Sequence, residues 1–503
     1  MLKVGEAFPK LRNAVNNPSP VELRELARPD EVTTEFGSPS YQSRIRSRSA
    51  KFTKNSIDTP FTDVDRQTIQ RVLDRIKGRE AHGVLVLDRQ MGRDPELRRH
   101  CRLIISARYA RIALGWSEML EPASPDEEPD LLTIFLPDWE EVRILVDPLH
   151  KTTYVLGTDY IGESKKSFLR MWMYEVKRAS GLGLHAGSKR VRVRAENGQL
   201  REVTQLFFGL SATGKSTLTT HRLGLKGEEG TELFQDDIVG WMPDGRCLGS
   251  EGKGLYIKTE GLTPESQPDL YHAAIQPSAI FENVWVDPKT GKVDFENPEL
   301  TGNGRATVQR ADLPGAAPEI DLAEVNELFF ITRTPLVPPI AKLTPVQAAV
   351  AFMLGESVES SAGDPTRAGE RVRVVGTNPF IIGSPAEEGN RLLAMLRTNP
   401  EIECYLLNTG RSGEGERSQD ITVATTVTIL RAVARGQIHW KEDRELGFQV
   451  PRSVPGIDIE AFDPHRAYSR QEFKDQLTKL RAERQAWLKR FNGLDVEILS
   501  AIY

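Results

Sequence analysis

Apolar positions recur at helical spacing over residues 63–77, where Val64, Ile69, Val72, Leu73 and Ile76 fall on one side. HGVLVLDR, 82–89, is short and apolar and predicts a buried strand. Residues 98–120 predict a second helix. EPASPDEEPD, 121–130, is acidic and proline-rich and predicts a surface loop. LLTIFLP and VRILVD predict strands. In the centre, EVTQLFFGLSATGKSTLTTHRLGL, 202–225, predicts a strand, a glycine loop and a helix. ELFQDDIVGW, 232–241, predicts a further strand ending in two acids. The Gly/Ser/Glu-rich stretch 356–371 predicts a mobile loop. EEGNRLLAMLRTN and ITVATTVTILRAVARG predict helices on either side of a strand, ECYLLNTG. The last element is a helix opened by Ser469, with Glu472 three residues on as a capping box. Its stripe of Phe473, Leu477, Leu480, Trp487, Leu488 and Phe491 predicts packing on its own domain. The pattern is that of an α/β chain with mixed sheets.

Composition narrows the class. With 503 residues, 39% apolar and 27% charged, the chain has the make-up of a globular protein of two or three domains. A net charge of −5 counts against a nucleic-acid binder. Cys101, Cys247 and Cys404 lie far apart, match no metal spacing and suit a reducing compartment. MLKVGEAFPKLRN has no apolar core of a secretory signal. No apolar run approaches the ~18 residues of a membrane span. The expectation is a cytoplasmic protein with no membrane partner.

Candidate chemistry concentrates in two places. Gly209, Leu210, Ser211, Ala212, Thr213, Gly214, Lys215 and Ser216 match G-x4-G-K-[ST] in full, between a predicted strand and a predicted helix. Glycines let the backbone curl so that successive N–H groups face phosphate oxygens, and the following helix adds its positive end. Lys215 would reach the β- and γ-phosphates, and Ser216 would offer its hydroxyl to Mg²⁺. Asp236 and Asp237 close the next strand, where a carboxylate can hold a cation. Neighbouring side chains of a regular strand point opposite ways, so only one acid faces the cation unless the strand has already ended. Upstream, LGTDYIGESKKSF carries Lys165 and Lys166, which alone read as a solvated pair. His185, in GLGLHAG, alone reads as a structural histidine. Arg305 sits in a polar turn, TGNGRAT.

Taken together these segments resemble ATP-dependent phosphoenolpyruvate carboxykinase, in order, from about residue 45 to 491. The family's G-T-x-Y-x-G-E-x-K-K is matched by GTDYIGESKK, its short-strand histidine by His185, and its G-L-S-G-T-G-K-T by GLSATGKS. QDDIVGW, EGKGLYIK, FENV and TGNGR follow in the family's order, then Asn408-Thr-Gly, Pro455-Gly-Ile-Asp and Asp463-Pro-His-Arg-Ala-Tyr468. Ala212 stands where the family has a loop glycine, Ile238-Val239 where it has Glu-His, and TGNGR lacks the motif's glutamate.

The resemblance implies oxaloacetate and ATP as substrates, phosphoenolpyruvate, ADP and CO₂ as products, and a place in gluconeogenesis. It implies Lys166, His185 and Asp237 as ligands of a catalytic Mn²⁺, and Ser216 as a ligand of the Mg²⁺ that accompanies ATP. As a ligand Lys166 must be neutral, because an ammonium has no lone pair. Lys165 and Lys215 are implied as the cations that neutralise the transferred phosphoryl. Tyr160, Arg305 and Arg48, with Arg46 as second choice, are implied for the oxaloacetate site. Lys258, Glu282, Arg417 and Thr217 are implied around the nucleotide, with the rest of the loop. The implied organisation is an N-terminal domain, 1–183, contributing the acid site, and a C-terminal P-loop mononucleotide-binding domain, 184–503. A monomer or small homo-oligomer is expected.

Two alternatives remain on sequence alone. A phosphate-loop kinase of the same superfamily, resembling HPr kinase, would act on another small acid or a protein. Lys165, Lys166 and His185 discriminate, since such a kinase does not need them. A nucleic-acid binder would use Arg44, Arg46, Arg48, Lys51 and Lys54, five cations in eleven residues, against the net charge.

Overall fold

The computed structural model of the chain describes residue 11 and residues 14–46, 49–77, 83–124, 126–210, 213–358 and 370–503. It is a mixed α/β protein whose larger sheets combine parallel and antiparallel pairs. The chain divides into two compact units. The first holds the described residues up to 179 and those from 248 to 320; the second holds 180–247 and the described residues from 321 onward. The segment 248–320 thus packs with the earlier part of the chain, so the units are not separated by a single cut near 183.

The first unit is built on an eight-stranded sheet. Val84–Met91 and Arg99–Ser106 pair antiparallel, and Leu131–Leu136 runs parallel to the latter. The helix Asp63–Lys77 covers one face, burying Ile69, Val72, Leu73 and Ile76 against Val84, Val86, Ile104, Leu132 and Ile134. Val64, at its first turn, is 58% exposed and outside that stripe. The long helix Ile161–Arg178 lies on the sheet's other face, where Ser167 and Thr133 bond through their hydroxyls at 2.9 Å. Alternation along the strand sends Thr133 away from Leu132 and Ile134. The sequence reading of 98–120 as one helix is corrected: only Ala110–Ser117 is α-helical, and Arg99–Ser106 is a strand. This strand is buried on both faces, so its apolar run loses the alternation that separates strand from helix. A second sheet orders Gly254–Lys258, Arg305–Gln309, Ile280–Glu282, Pro39–Tyr41 and Val32–Thr33 side by side.

The second unit is built on another eight-stranded sheet. Leu200–Phe208, Glu327–Thr332 and Glu403–Asn408 run parallel at its centre. Phe207, Phe329 and Tyr405 stack in register, with centroids 5.0 and 5.2 Å apart, and face the helix Val423–Arg435. Phe208 and Phe330 face the other way, where Phe352 of Pro345–Leu354 meets Phe208 edge-on. The last helix, Arg470–Leu488, opens with the Ser469–Glu472 capping box. Phe473, Leu477 and Leu488 of its stripe are buried, and Trp487 donates to Met353 O within the same unit.

Two further expectations change. The strand expected over 232–241 is two strands: Gly230–Gln235 stays in the large sheet, while Val239–Trp241 pairs with Leu182–Leu184. Asp236 and Asp237 fall in the bend between them. The loop expected over 356–371 begins and ends as paired strands, Glu356–Val358 with Arg371–Arg373, and residues 359–369 lie outside the described residues. No helix among the described residues is long and apolar enough to cross a membrane.

Candidate active site

The glycine loop leaves the end of Leu200–Phe208 and enters the six-residue helix Lys215–Thr220. Gly214 caps that helix with φ +99°, a left-handed conformation that favours glycine. The Thr213 hydroxyl donates to Leu210 O at 2.7 Å, and Thr409 of the Asn408-Thr-Gly motif donates to Thr213 O at 2.9 Å. The loop is therefore tied to the end of Glu403–Asn408, two strands along the sheet. Ser211 and Ala212 lie outside the described residues. Gly209, Leu210, Ser216 and Thr217 stand at the loop ends in the order the motif requires.

Lys215 is buried, and its Nζ donates to Asp237 Oδ1 at 2.8 Å and to the Asp237 carbonyl at 3.3 Å. His185 approaches the same carboxylate oxygen, with Nε2 3.1 Å from Oδ1. Its Nδ1 lies 2.7 Å from Thr377 O. A carbonyl only accepts, so Nδ1 carries the proton and Nε2 presents its lone pair. Burial, then the Lys215 ammonium, holds the His185 pKa below the ordinary imidazole range and keeps the ring neutral. A lone pair and a carboxylate then face each other, an arrangement that a cation between them relieves. The donor set, imidazole nitrogen and carboxylate oxygen, fits a divalent transition metal. Among the described residues, no three His, Cys, Asp or Glu side chains group as a metal site. Asp236, the other acid of the pair, is buried, whereas Asp237 is partly exposed. Arg417 is exposed in the turn Gly415–Arg417.

The acid-site residues expected from sequence come together in the first unit. Tyr160 precedes the helix Ile161–Arg178, which carries Lys165 and Lys166. A Cβ on Gly162 would lie 2.5 Å from the Tyr160 ring, so only glycine leaves that ring its place. Lys165 is buried and pairs with Glu251 at 2.9 Å. Lys166 is half-buried, with Nζ 5.0 Å from the Tyr160 ring centroid. Arg305 opens the strand Arg305–Gln309, opposite Lys258 on one neighbour and Glu282 on the other. Asn303 Oδ1 accepts from Arg305 Nε at 3.1 Å and Nη2 at 2.9 Å. Asn303 Nδ2 donates to the Tyr160 hydroxyl at 3.2 Å and to Arg46 O at 2.7 Å. Lys258 pairs with Glu260.

Glu282, expected around the nucleotide, is fully buried. Its carboxylate accepts from Ile161 N at 2.7 Å and from the Tyr256 hydroxyl. Burial pushes its pKa up to about 7. It supports Tyr256 and the start of the Lys165 helix.

The basic segment 43–54 is fastened to the same unit. Asp159 accepts from Arg44 N and Ile45 N at 3.0 Å, and Arg111 braces it at 2.9 Å. Glu163 accepts from Ser49 N at 2.6 Å. Arg46 donates to Ser43 O at 3.2 Å and to Leu300 O, and Lys54 pairs with Asp65 at 2.7 Å. Arg48 lies outside the described residues. Sequence reasoning missed Asp159, Glu163, Glu251, Tyr256, Glu282's supporting contacts and Asn303. Each stands inside a motif that was singled out, and that position was the only signal.

A sequence profile of phosphoenolpyruvate carboxykinase matches residues 26–460, and the chain belongs to that family. Three similar curated proteins share the name phosphoenolpyruvate carboxykinase (ATP). The protein of Aeropyrum pernix is 37% identical over 390 residues, 77% of this chain and 77% of its own length. That of Rhodopseudomonas palustris is 30% identical over 363 residues, 68% of this chain and 64% of its own length. That of Brucella anthropi is 29% identical over 435 residues, 81% of this chain and 76% of its own length.

His185→Ala is expected to raise the Mn²⁺ concentration needed for half-activation by at least about 10- to 100-fold, with nucleotide affinity nearly unchanged. Mn²⁺ titration of turnover checks this, and an unchanged curve returns His185 to a structural role.

Proposed function

We infer that this chain converts oxaloacetate and ATP into phosphoenolpyruvate, ADP and CO₂, as an ATP-dependent phosphoenolpyruvate carboxykinase. The observation that carries this reading is the convergence of Lys215 Nζ and the His185 Nε2 lone pair on one oxygen of Asp237. A loop lysine and a cation-ready pair in one place suit phosphoryl transfer. On this reading the second unit is a P-loop mononucleotide domain and the first supplies the acid site. The cytoplasmic placement rests on the sequence and on three buried thiols.

The mechanism follows from what the side chains offer. Arg305 and Tyr160, with Arg48, hold the dicarboxylic oxo acid. Loss of CO₂ leaves an enolate, whose oxygen is the nucleophile toward the γ-phosphoryl, so no protein nucleophile or general base is required. Lys215 and Lys165 offset charge on the transferred group. Loop N–H groups cradle the phosphates, with Thr217, Lys258 and Arg417 proposed nearby. His185, Asp237 and Lys166 would hold Mn²⁺, and Ser216 the Mg²⁺ of the nucleotide. The cation supplies Lewis-acid charge at the developing enolate.

The test is oxaloacetate formation from phosphoenolpyruvate, bicarbonate and ADP with Mn²⁺, compared with GDP and phosphate as acceptors. In the other direction, oxaloacetate with Mn²⁺ and ADP should release pyruvate above a no-enzyme control. Asp237→Asn should abolish that release. No carboxylation and no release would leave a phosphate-loop kinase on another substrate as the better reading.

A further inference from the structure

We propose that Tyr256 is a positioning residue of the acid site, an aromatic floor on which Lys165 and Arg305 are held. The proposal rests on the carboxykinase reading and deepens it. Tyr256 lies mid-strand in Gly254–Lys258 and pairs with Thr307. Alternation puts Tyr256 and Lys258 on one face, and antiparallel register adds Arg305 and Thr307 to it. The Lys165 ammonium lies 5.9 Å from the ring centroid and the Arg305 guanidinium 5.5 Å from it. Tyr160 meets the ring edge-on, with centroids 6.3 Å apart and planes at 62°. Three side chains assigned to the acid or the phosphoryl group therefore converge on one ring.

The ring itself is locked. Tyr256 is 7% exposed. Its hydroxyl donates to Glu282, whose other oxygen accepts from Ile161 N at the start of the helix that carries Lys165. One hydrogen-bond path thus links the ring to the helix whose cation it meets.

An aromatic ring suits this position for a chemical reason. Lys165 already has a carboxylate partner in Glu251. A second carboxylate under both cations would neutralise the charge that a dianionic oxo acid and a phosphoryl group need. The π face attracts cations through its quadrupole and leaves their net charge intact. It fixes position without removing function.

The test compares Tyr256→Phe, which keeps the ring, with Tyr256→Leu, which keeps apolar bulk and loses the π face. Loss of two cation–π contacts corresponds to about a 10- to 100-fold fall in kcat/KM for oxaloacetate. The Leu variant should show that fall with nucleotide KM unchanged, in a protein that still unfolds cooperatively. The Phe variant should recover most of the activity. If the Leu variant does not fold, phenylalanines of increasing ring fluorination at 256 replace it, and kcat/KM should fall stepwise as the π face weakens. A flat fluorination series, wild-type kinetics in the Leu variant, or a Phe variant as poor as the Leu variant would each overturn the floor. Binding of oxalate, a two-carboxylate dianion, is measured by thermal shift on the same proteins without turnover. Weaker oxalate binding in the Leu variant alone, in an enzyme with no carboxykinase activity, would retain the floor and reject the reaction.

Discussion

Lys215→Ala is expected to lower turnover about 10²- to 10³-fold while the protein still folds. The side chain is buried, and its Nζ bonds the Asp237 carboxylate and carbonyl. On the proposed reading its ammonium offsets charge on the transferred phosphoryl. Removing it also takes a counter-charge from Asp237, so cation binding should tighten or stay level while transfer collapses. Steady-state kcat with saturating Mn²⁺, beside a thermal melt, separates the two effects. Near-normal turnover in a folded variant would remove Lys215 from the chemistry.

Arg305→Lys should be nearly as damaging as Arg305→Ala, about 10²-fold in kcat/KM for oxaloacetate. Asn303 grips the guanidinium along its Nε–Nη2 edge and so sets the plane in which it meets a carboxylate. An ammonium has no plane to set and makes no paired hydrogen bonds. The defect should appear with oxaloacetate while nucleotide affinity is kept. Full activity in the Lys variant would mean that diffuse positive charge is enough. Loss of nucleotide binding in both variants would refute the acid-site assignment.

Much of the candidate site was legible because its chemistry travels in short motifs. GLSATGKS carries its own logic: glycines, a lysine and a hydroxyl must follow a strand in that order. His185 and Lys165 carried none until resemblance placed them, since a buried histidine or a lysine pair has ordinary readings. What the sequence withheld was the supporting contacts. Asn303 joins Arg305, Tyr160 and the Arg46 carbonyl across the fold, and no spacing announces such a hub. Glu282 is similar: resemblance placed it around the nucleotide, and nothing in the spacing announced its bonds with Ile161 N and the Tyr256 hydroxyl. In the fold, Arg99–Ser106 was misread because a strand buried on both faces lacks polar punctuation. The acids at 236–237 were placed at the close of a strand that ends two residues earlier, at Gln235. That early end allows Asp236 to be buried while Asp237 turns to Lys215 and His185.

The return of residues 248–320 to the first unit bears on how the chain is made. Strand Pro39–Tyr41 pairs in parallel with Ile280–Glu282, and Ser43 N bonds Asn283 Oδ1 across 240 positions. This five-stranded sheet therefore cannot close on a ribosome until the strand Arg305–Gln309 has emerged, long after the glycine loop has been synthesised. Domains that finish early during synthesis have contiguous sequence. Here the first unit must wait with an incomplete sheet edge while residues 180–247 of the second are translated. Long-range closure of this kind is slow, because the entropy of the intervening loop is lost before its contacts form. A nascent chain stalled near residue 250 would expose the unpaired edge of Pro39–Tyr41, a place where a chaperone or a second chain could add a strand.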